Sequence, residues 1–351
     1  MKKSIFASLL LTAASLLFLP SCRDNTGDIV LDRSILDSAK PLTAESMNFD
    51  FPITTVNLYV VNDSIAVVHN SEQDERKLVE IYNLNSGALI WDRFTKGNGP
   101  EEILMGRSDM FNDTLMLEDF MRDRIVLLPI GKITTGEDFK PEFQDYSVVS
   151  TRIRPFGGKL LAVNPYCFND KQSGIHNDGN RFILTDSSFN YKETNSYQYE
   201  TFNVTNGNFI ISYDNDRIIY YSAAEPLIEV YDTDLNLLRT VTGPELPNRP
   251  ELSLIGNMVM YSNGIPYAYK SASCCNRRHV YLTYIGELTT ADRNYDDFDT
   301  YILKFDWNGN FIESYSIGHS VTSMSLSGDG KSLYVFGREH DGTDVLYRYP
   351  L

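Results

Sequence analysis

"LIEVYDTDLNLLRTV", residues 227–241, reads as a strand, a polar turn and a second strand. Apolar and polar residues alternate before the turn, the period of a half-buried strand. Asp232, Asp234 and Asn236 then crowd the turn, where such side chains bond nearby backbone. The pattern returns in "LVEIYNLNSGALIWD" (78–92) and "TYILKFDWNGNFIES" (300–314). "RFILTDSSFNYKET" (181–194) is a looser copy and "RIVLLPIGKI" (124–133) a degenerate one. The turns "NLNSG" and "DWNGN" carry the Asn and Gly that tight hairpins use for positive φ.

A second segment recurs upstream of these. "SIAVVHN" (64–70), "TLMLEDF" (114–120), "KLLAVNP" (159–165), "RIIYYSA" (217–223), "HVYLTYI" (279–285) and "SLYVFGR" (332–338) are short apolar runs rich in β-branched and aromatic residues. Such runs read as buried strands. Long helical periodicity is missing, so the chain is an all-β repeat. A period near 50 residues, with about four strands per unit, is that of a β-propeller. Six apolar runs predict six blades and make them the inner strands. The last unit runs out of chain at Leu351, and the N-terminal "FDFPITTVNLYVV" (49–61) is free to supply its missing strand. The expectation is a six-bladed β-propeller over 42–351, its last blade closed by an N-terminal strand. A pair of β-sandwiches is the alternative, and it leaves the period unexplained.

The N-terminus has a different logic. Lys2 and Lys3 precede an apolar run from Ile5 to Leu19, which ends in "LPSC". The run is short for a membrane span and has the layout of a secretory signal. Residues 1–21 are therefore expected to be a signal peptide. Cys22 after a small residue resembles the lipobox of bacterial lipoproteins. That resemblance implies cleavage before Cys22, its lipidation, and a membrane anchor facing the periplasm or the cell surface. The competing reading is an ordinary signal with a chance cysteine. Residues 22–41 lack periodicity and read as a lipidated flexible tether.

Taken together, the lipobox, the six β units, "GNGPEE" (97–102) and "SLSGDGKSLYVF" (325–336) resemble the TolB-like six-bladed propeller lipoproteins of Bacteroidetes. In the last motif Asp329 and Gly330 make the turn and Leu333 to Phe336 the strand. The resemblance covers roughly residues 42–351. It implies a fold and an envelope location, and it carries over no catalytic residue.

Composition narrows the partners. The formal charge is −16, and loss of Lys2 and Lys3 with the signal takes it to about −18. Nucleic acid is excluded, because a phosphate backbone calls for basic patches. Cys167, Cys274 and Cys275 remain after Cys22; they can be idle thiols, or two of them can pair. Neither a metal-type C-x-x-C spacing nor a cofactor motif occurs, so no metal or cofactor is expected. "SLSGDGKS" has Ser325 where a phosphate loop needs Gly, and it precedes a strand rather than a helix. "DTDLN" lacks the later Gly and Glu of an EF-hand loop. "TKGNGPEE" (95–102) and "TGPELPNRPEL" (242–252) follow matching strand pairs, which makes both of them crossings between blades.

Polar residues follow every apolar run: His69–Asn70, Glu118–Asp119, Asn164, Glu225, Glu287 and Arg338–Glu339. If the runs line the channel, Asn70, Asp119, Asn164, Glu225, Glu287, Arg338 and Glu339 gather at one mouth. There they form a largely acidic ring suited to a cation, an amine or a sugar. The ordinary reading is that any strand exit is polar. The inserts 165–180 and 286–299 and the tyrosine-rich "NSYQYETF" (195–202) offer an external surface instead. The function expected is that of a noncatalytic envelope module binding a protein, peptide or glycan. The alternative is a hydrolase or lyase acting at the channel mouth.

Overall fold

All six apolar runs become the second strand of a four-stranded antiparallel sheet: Ile65–Asn70, Thr114–Asp119, Lys159–Val163, Arg217–Ser222, His279–Thr289 and Ser332–Arg338. The computed structural model describes residues 27–351 apart from 53, 72–75, 138, 147–151, 165–180, 186–190, 194–206, 249–250, 256–257, 262, 291–292 and 294–296. The first strands of the six blades are Thr55–Val61, Gly106–Phe111, Ile153–Phe156, Gly207–Ser212, Ile265–Cys275 and Ser320–Leu326. In blades 1 to 5 the third and fourth strands follow in sequence order, as in Val79–Asn83 and Leu89–Arg93 of blade 1.

The apolar runs are continuous because a second strand is covered on both faces. In blade 1, Val67 packs with Leu115 and Leu117 of blade 2. Ala66 and Val68, pointing the other way, pack with Tyr334 and Phe336 of blade 6. The same sandwiching holds around the ring, and six apolar clusters fill the six interfaces between neighbouring blades. Alternation along a strand, two faces and two neighbours together make the ring.

This arrangement corrects the sequence reading in one respect. The apolar runs are not the inner strands. They lie one strand out from the channel, and the first strand of each blade faces it. Blade 2 also departs from the repeat: Arg124–Pro129 leads into a short helix, Ile130–Thr134, before the fourth strand, Phe143–Asp145.

An N-terminal strand does close the ring, though not the one expected. Thr55–Val61 opens blade 1, and Glu45–Ser46 supplies the fourth strand of blade 6. Glu45 lies opposite Arg348 and Ser46 opposite Tyr347 in antiparallel register.

Within the expected tether, residues 27–41 are not free. Ile29–Val30 add in parallel to the outer strand of blade 4, Leu237–Thr242, and Lys40–Pro41 add to the outer strand of blade 5, Phe311–Ile317. Between them Leu31 and Leu36 are buried in the cluster between those blades. Two charge contacts pin the segment, Arg33 to Glu287 at 3.3 Å and Lys40 to Glu313 at 2.6 Å. A stretch without periodicity can still pack when each of its few apolar residues finds a socket on a finished surface.

Candidate functional site in the central channel

The first strands of all six blades converge on the axis and line two cavities, the first walled mainly by polar residues and the second largely by apolar ones such as Val60, Met110, Ile210 and Leu326. The cavity at the start of these strands encloses about 590 Å³ including its open mouth, and the one at their far ends about 910 Å³. The first is walled by Asn57 and Tyr59, by Arg107, Ser108 and Asp109, by Arg152 and Asn208, by Ser271 to Ser273 and by Thr322 to Met324. Met116 and Glu118 reach it from the second strand of blade 2.

These groups also bolt the blades together. Asn57 donates to Ser108 Oγ at 3.1 Å, and Tyr59 OH to the Ser108 carbonyl at 3.3 Å. Tyr221 OH donates to Ser273 Oγ at 2.8 Å, and Asn208 to the Ser271 carbonyl at 3.2 Å. Ser323 Oγ receives the Leu58 N–H at 3.1 Å and donates to the Leu58 carbonyl at 2.6 Å. Buried polar groups need such partners, since an unmet one costs about 1–3 kcal/mol. Burial pushes the phenols of Tyr59 and Tyr221 well up, so both remain protonated donors.

Charge is concentrated on one side of the channel. Arg107 holds Glu118 through Nε at 2.9 Å and Nη2 at 2.5 Å. Glu118 receives Tyr146 OH on its other oxygen at 2.7 Å. Arg154 holds Asp109 across the blade 2–blade 3 interface at 2.5 Å. Arg152 stands in the same neighbourhood. Burial lowers its pKa, Arg107 beside it acts the same way, and Asp109 opposes them.

The residues expected at the mouth stand elsewhere, because they end second strands rather than first ones. None of the seven lines either cavity. Asn70 is buried and bonds the Lys77 carbonyl and Glu80 inside blade 1. Asp119 is buried and accepts the Leu104 N–H at 3.3 Å and Arg124 Nε at 3.4 Å, which ties down the crossing into blade 2. Asn164 is buried, and its N–H donates to the Arg181 carbonyl. Glu225 is half-buried beside Tyr261, whose phenol its charge helps to raise. Glu287 takes Arg33, Arg338 takes Asp344, and Glu339 takes Tyr347 OH. The expected acidic ring is thus dispersed into local contacts, and Glu118 is the strand-end residue that reaches the channel.

The residues missed by sequence reasoning are Asn57, Ser108, Asp109, Arg152, Asn208, Ser271 and Ser273. Their signal was the strand before each apolar run, where polar residues interrupt the pattern, as in "GRSDM" (106–110) and "KSAS" (270–273).

Other motifs settle into structural roles. Glu102 accepts the Gly99 N–H at 2.6 Å, so the carboxylate that "TKGNGPEE" wraps around is its own. Gly97 has φ +152°, and a Cβ there would stand 2.1 Å from Glu102 Oε2. At the matching crossing Gly243 has φ +94°, and its Cβ would stand 2.2 Å from the Leu31 carbonyl of the N-terminal segment. Asp232 bonds Asn236 N–H and Nδ2 within its turn, as Asp306 bonds Asn310. Glu80 and Glu229 occupy matching places in "VEIY" and "IEVY", and each accepts the tyrosine two residues on, at 2.8 Å. Glu229 is also paired with the fully buried Arg181 at 2.7 Å. Cys274 and Cys275 are free thiols, both pushed up by burial, Cys275 to about 11. Cys22, Cys167 and the inserts at 165–180 and 195–202 lie outside the described residues. Among the described residues, no three His, Cys, Asp or Glu side chains form a metal-ligating group. No helix among them is long and apolar enough to cross a membrane.

Among solved structures, a Bacteroides fragilis protein described as exported superposes with a TM-score of 0.52 at 12% identity, covering 93% of this chain and 98% of that one. A DUF4221 family member from Bacteroides vulgatus superposes with a TM-score of 0.55 at 10% identity, covering 89% and 98%. At such identities the likeness speaks for the fold alone. No curated protein sequence matches the chain. The family model of TolB-like six-blade propellers matches residues 38–329. With six blades closed by an N-terminal strand and most of its length matched, this chain belongs to the TolB-like six-bladed propeller family.

Proposed function

We propose that the protein is a noncatalytic binding module of the cell envelope, anchored by lipid on Cys22, that receives part of a protein, peptide or glycan in its central channel. The observation that carries this reading is the polar, open cavity walled by Asn57, Ser108, Arg152, Asn208 and Ser271 from different blades. A concave site with a few convergent polar groups is where ligands bind. The binding reading is favoured over hydrolysis because Asp109 and Glu118, the carboxylates of this cavity, are each already engaged by an arginine. Secretion is supported by the signal-like residues 1–21 and by the fold's likeness to a protein described as exported.

Two measurements test it. Cells fed a radiolabelled fatty acid are expected to label the protein, and Cys22→Ala to abolish the label; an unlabelled wild-type protein ends the anchoring claim. The soluble chain from residue 23 is expected to bind members of a glycan and peptide panel, with Asn208→Leu weakening the binding about tenfold. Turnover of any bound glycan or peptide would replace this reading with the hydrolase or lyase.

A further inference from the structure

A lipid on Cys22 would have little freedom in where it holds the body, because the chain is fixed to blade 4 from Asp28 onward. The Asp28 carboxylate accepts the Thr240 N–H at 3.3 Å, and Ile29–Val30 pair with Val241 and Thr242. The Leu31 N–H donates to the Thr242 carbonyl at 2.8 Å, and Arg33 donates to the Glu245 carbonyl at 3.0 Å. Leu31 and Leu36 are buried just beyond. From residue 22 to residue 28 a fully extended chain covers at most about 22 Å.

That reach is short beside the ring. A blade is four strands deep, about 14 Å from first strand to fourth at the usual spacing. The outer edge of blade 1 stands across two blade depths and the channel from that of blade 4, more than about 30 Å away. Cys22 therefore stays beside blade 4 and its neighbours.

Direction adds to distance. Ile29–Val30 run parallel to Leu237–Thr242, which leads from the turn of Asp232 and Asn236 to the crossing at Gly243. Traced back toward Cys22, the chain leaves blade 4 on the side of that turn. Strands alternate in direction through a blade, so this is the side on which the first strands end. The polar cavity of Asn57, Ser108 and Asn208 stands toward their starts.

We propose that the protein sits with the outer edge of blade 4 against the bilayer and the ends of its first strands turned toward it, so that the polar cavity opens to the aqueous side. The partner is the lipid surface, and the bond is the acyl group on Cys22. This rests on the lipidation proposed above and adds which side of the ring the lipid holds.

The test uses the full-length lipoprotein, extracted from membranes and inserted into preformed phosphatidylcholine and phosphatidylglycerol vesicles with an acceptor dye at their headgroups. A donor dye is attached through an azide-bearing amino acid at one of four exposed positions. Positions 234 and 248 flank the outer strand of blade 4 on its two faces, 85 is in the matching turn of blade 1, and 121 is on the opposite face in blade 2. Energy transfer from 234 is expected to be about twice that from 85 or 248, sites about a blade depth or more farther from the bilayer, and weakest from 121. An insert of about twenty Gly and Ser residues between Asn25 and Thr26 is expected to level the four, since a flexible linker of that length lets the ring turn.

Hydroxyl-radical footprinting of the unsubstituted lipoprotein on vesicles, compared with the chain from residue 23 in solution, gives the same answer without a variant. Val30 and Ile312, exposed on the outer edges of blades 4 and 5, are expected to be protected, and Leu89, Ile90 and Met121 to react as in solution. Transfer from 85 or 248 equal to that from 234, or protection of Leu89, Ile90 or Met121 in place of Val30, overturns the orientation while lipidation stands. A protein that takes up no fatty acid overturns both.

Discussion

His319 shows how one side chain can carry a condition of the fold. It sits buried at the entry to blade 6, with Nδ1 2.8 Å from the Ser320 carbonyl and Nε2 2.7 Å from Tyr349 OH. A carbonyl only accepts, so Nδ1 carries the proton and Nε2 accepts the tyrosine hydroxyl. A second proton on the ring would break that arrangement. Burial lowers the His319 pKa, against the bond to the Ser320 carbonyl. The unfolded chain, with an ordinary value of about 6.5, then takes up a proton first. The contribution of His319 to stability is therefore full above about pH 6.5 and is lost as pH falls from there through the folded-state value. Denaturant titrations at pH 7.5 and 5.5 are expected to show a larger loss for the wild-type chain than for His319→Gln. Identical losses would remove His319 from the account. The local pattern was readable here, since strand and turn residues announce themselves, but the partner of His319 is 30 residues away in the last strand and no spacing rule reaches it.

At the scale of elements, the N-terminal segment matters as much as any blade. Two short parallel additions at Ile29–Val30 and Lys40–Pro41 cap the open edges of blades 4 and 5. Exposed edges invite pairing with other chains, and covering them is a common defence. Glu313 illustrates the attachment. Burial raises its pKa, but hydrogen bonds from Lys304 and Lys40 outweigh that and hold it at about 2. The sequence reading missed this role because helix and strand patterns report an element's own periodicity, and two-residue strands have none. Leu36→Ala should cost about 2–3 kcal/mol, at the low end for a buried leucine because the site is peripheral. That loss is read from a shift in the denaturant midpoint, with protease cleavage near residue 36 as a second signal. A midpoint equal to the wild type would mean that the segment lies loosely on the ring.

For the whole molecule, closure is the decisive event. Glu45–Ser46 brings the start of the chain to its last strand, Asp344–Pro350, across the full length of the sequence. Such pairing is entropically slow to find but completes an interface between first and last blades. A chain starting at residue 42 keeps this strand and loses only the edge additions, whereas one starting at residue 49 opens blade 6. The first truncation is expected to unfold cooperatively at a lower midpoint. The second is expected to lose cooperativity and to aggregate through the edge left bare at Asp344–Pro350. Equal behaviour of the two by calorimetry and light scattering would show closure to be dispensable.

The sequence by itself determined the repeat, the number of blades and the strands that pack between them. Those features arise from local alternation and turn chemistry, which are written residue by residue. The tertiary structure decided which strand faces the axis. A second strand is apolar because two neighbouring blades cover it. The strand on the channel is mixed because one side meets polar space, so the most visible strands were not the innermost. The same reasoning accounts for the site. Asn70, Asp119 and Glu287 sit at legible positions at strand ends, but their partners arrive from distant segments and use them for structure. Arg107 and Arg154 come from the first strands of blades 2 and 3 and Arg152 from the crossing between them, and only the packing of those blades around the axis brings all three to the channel.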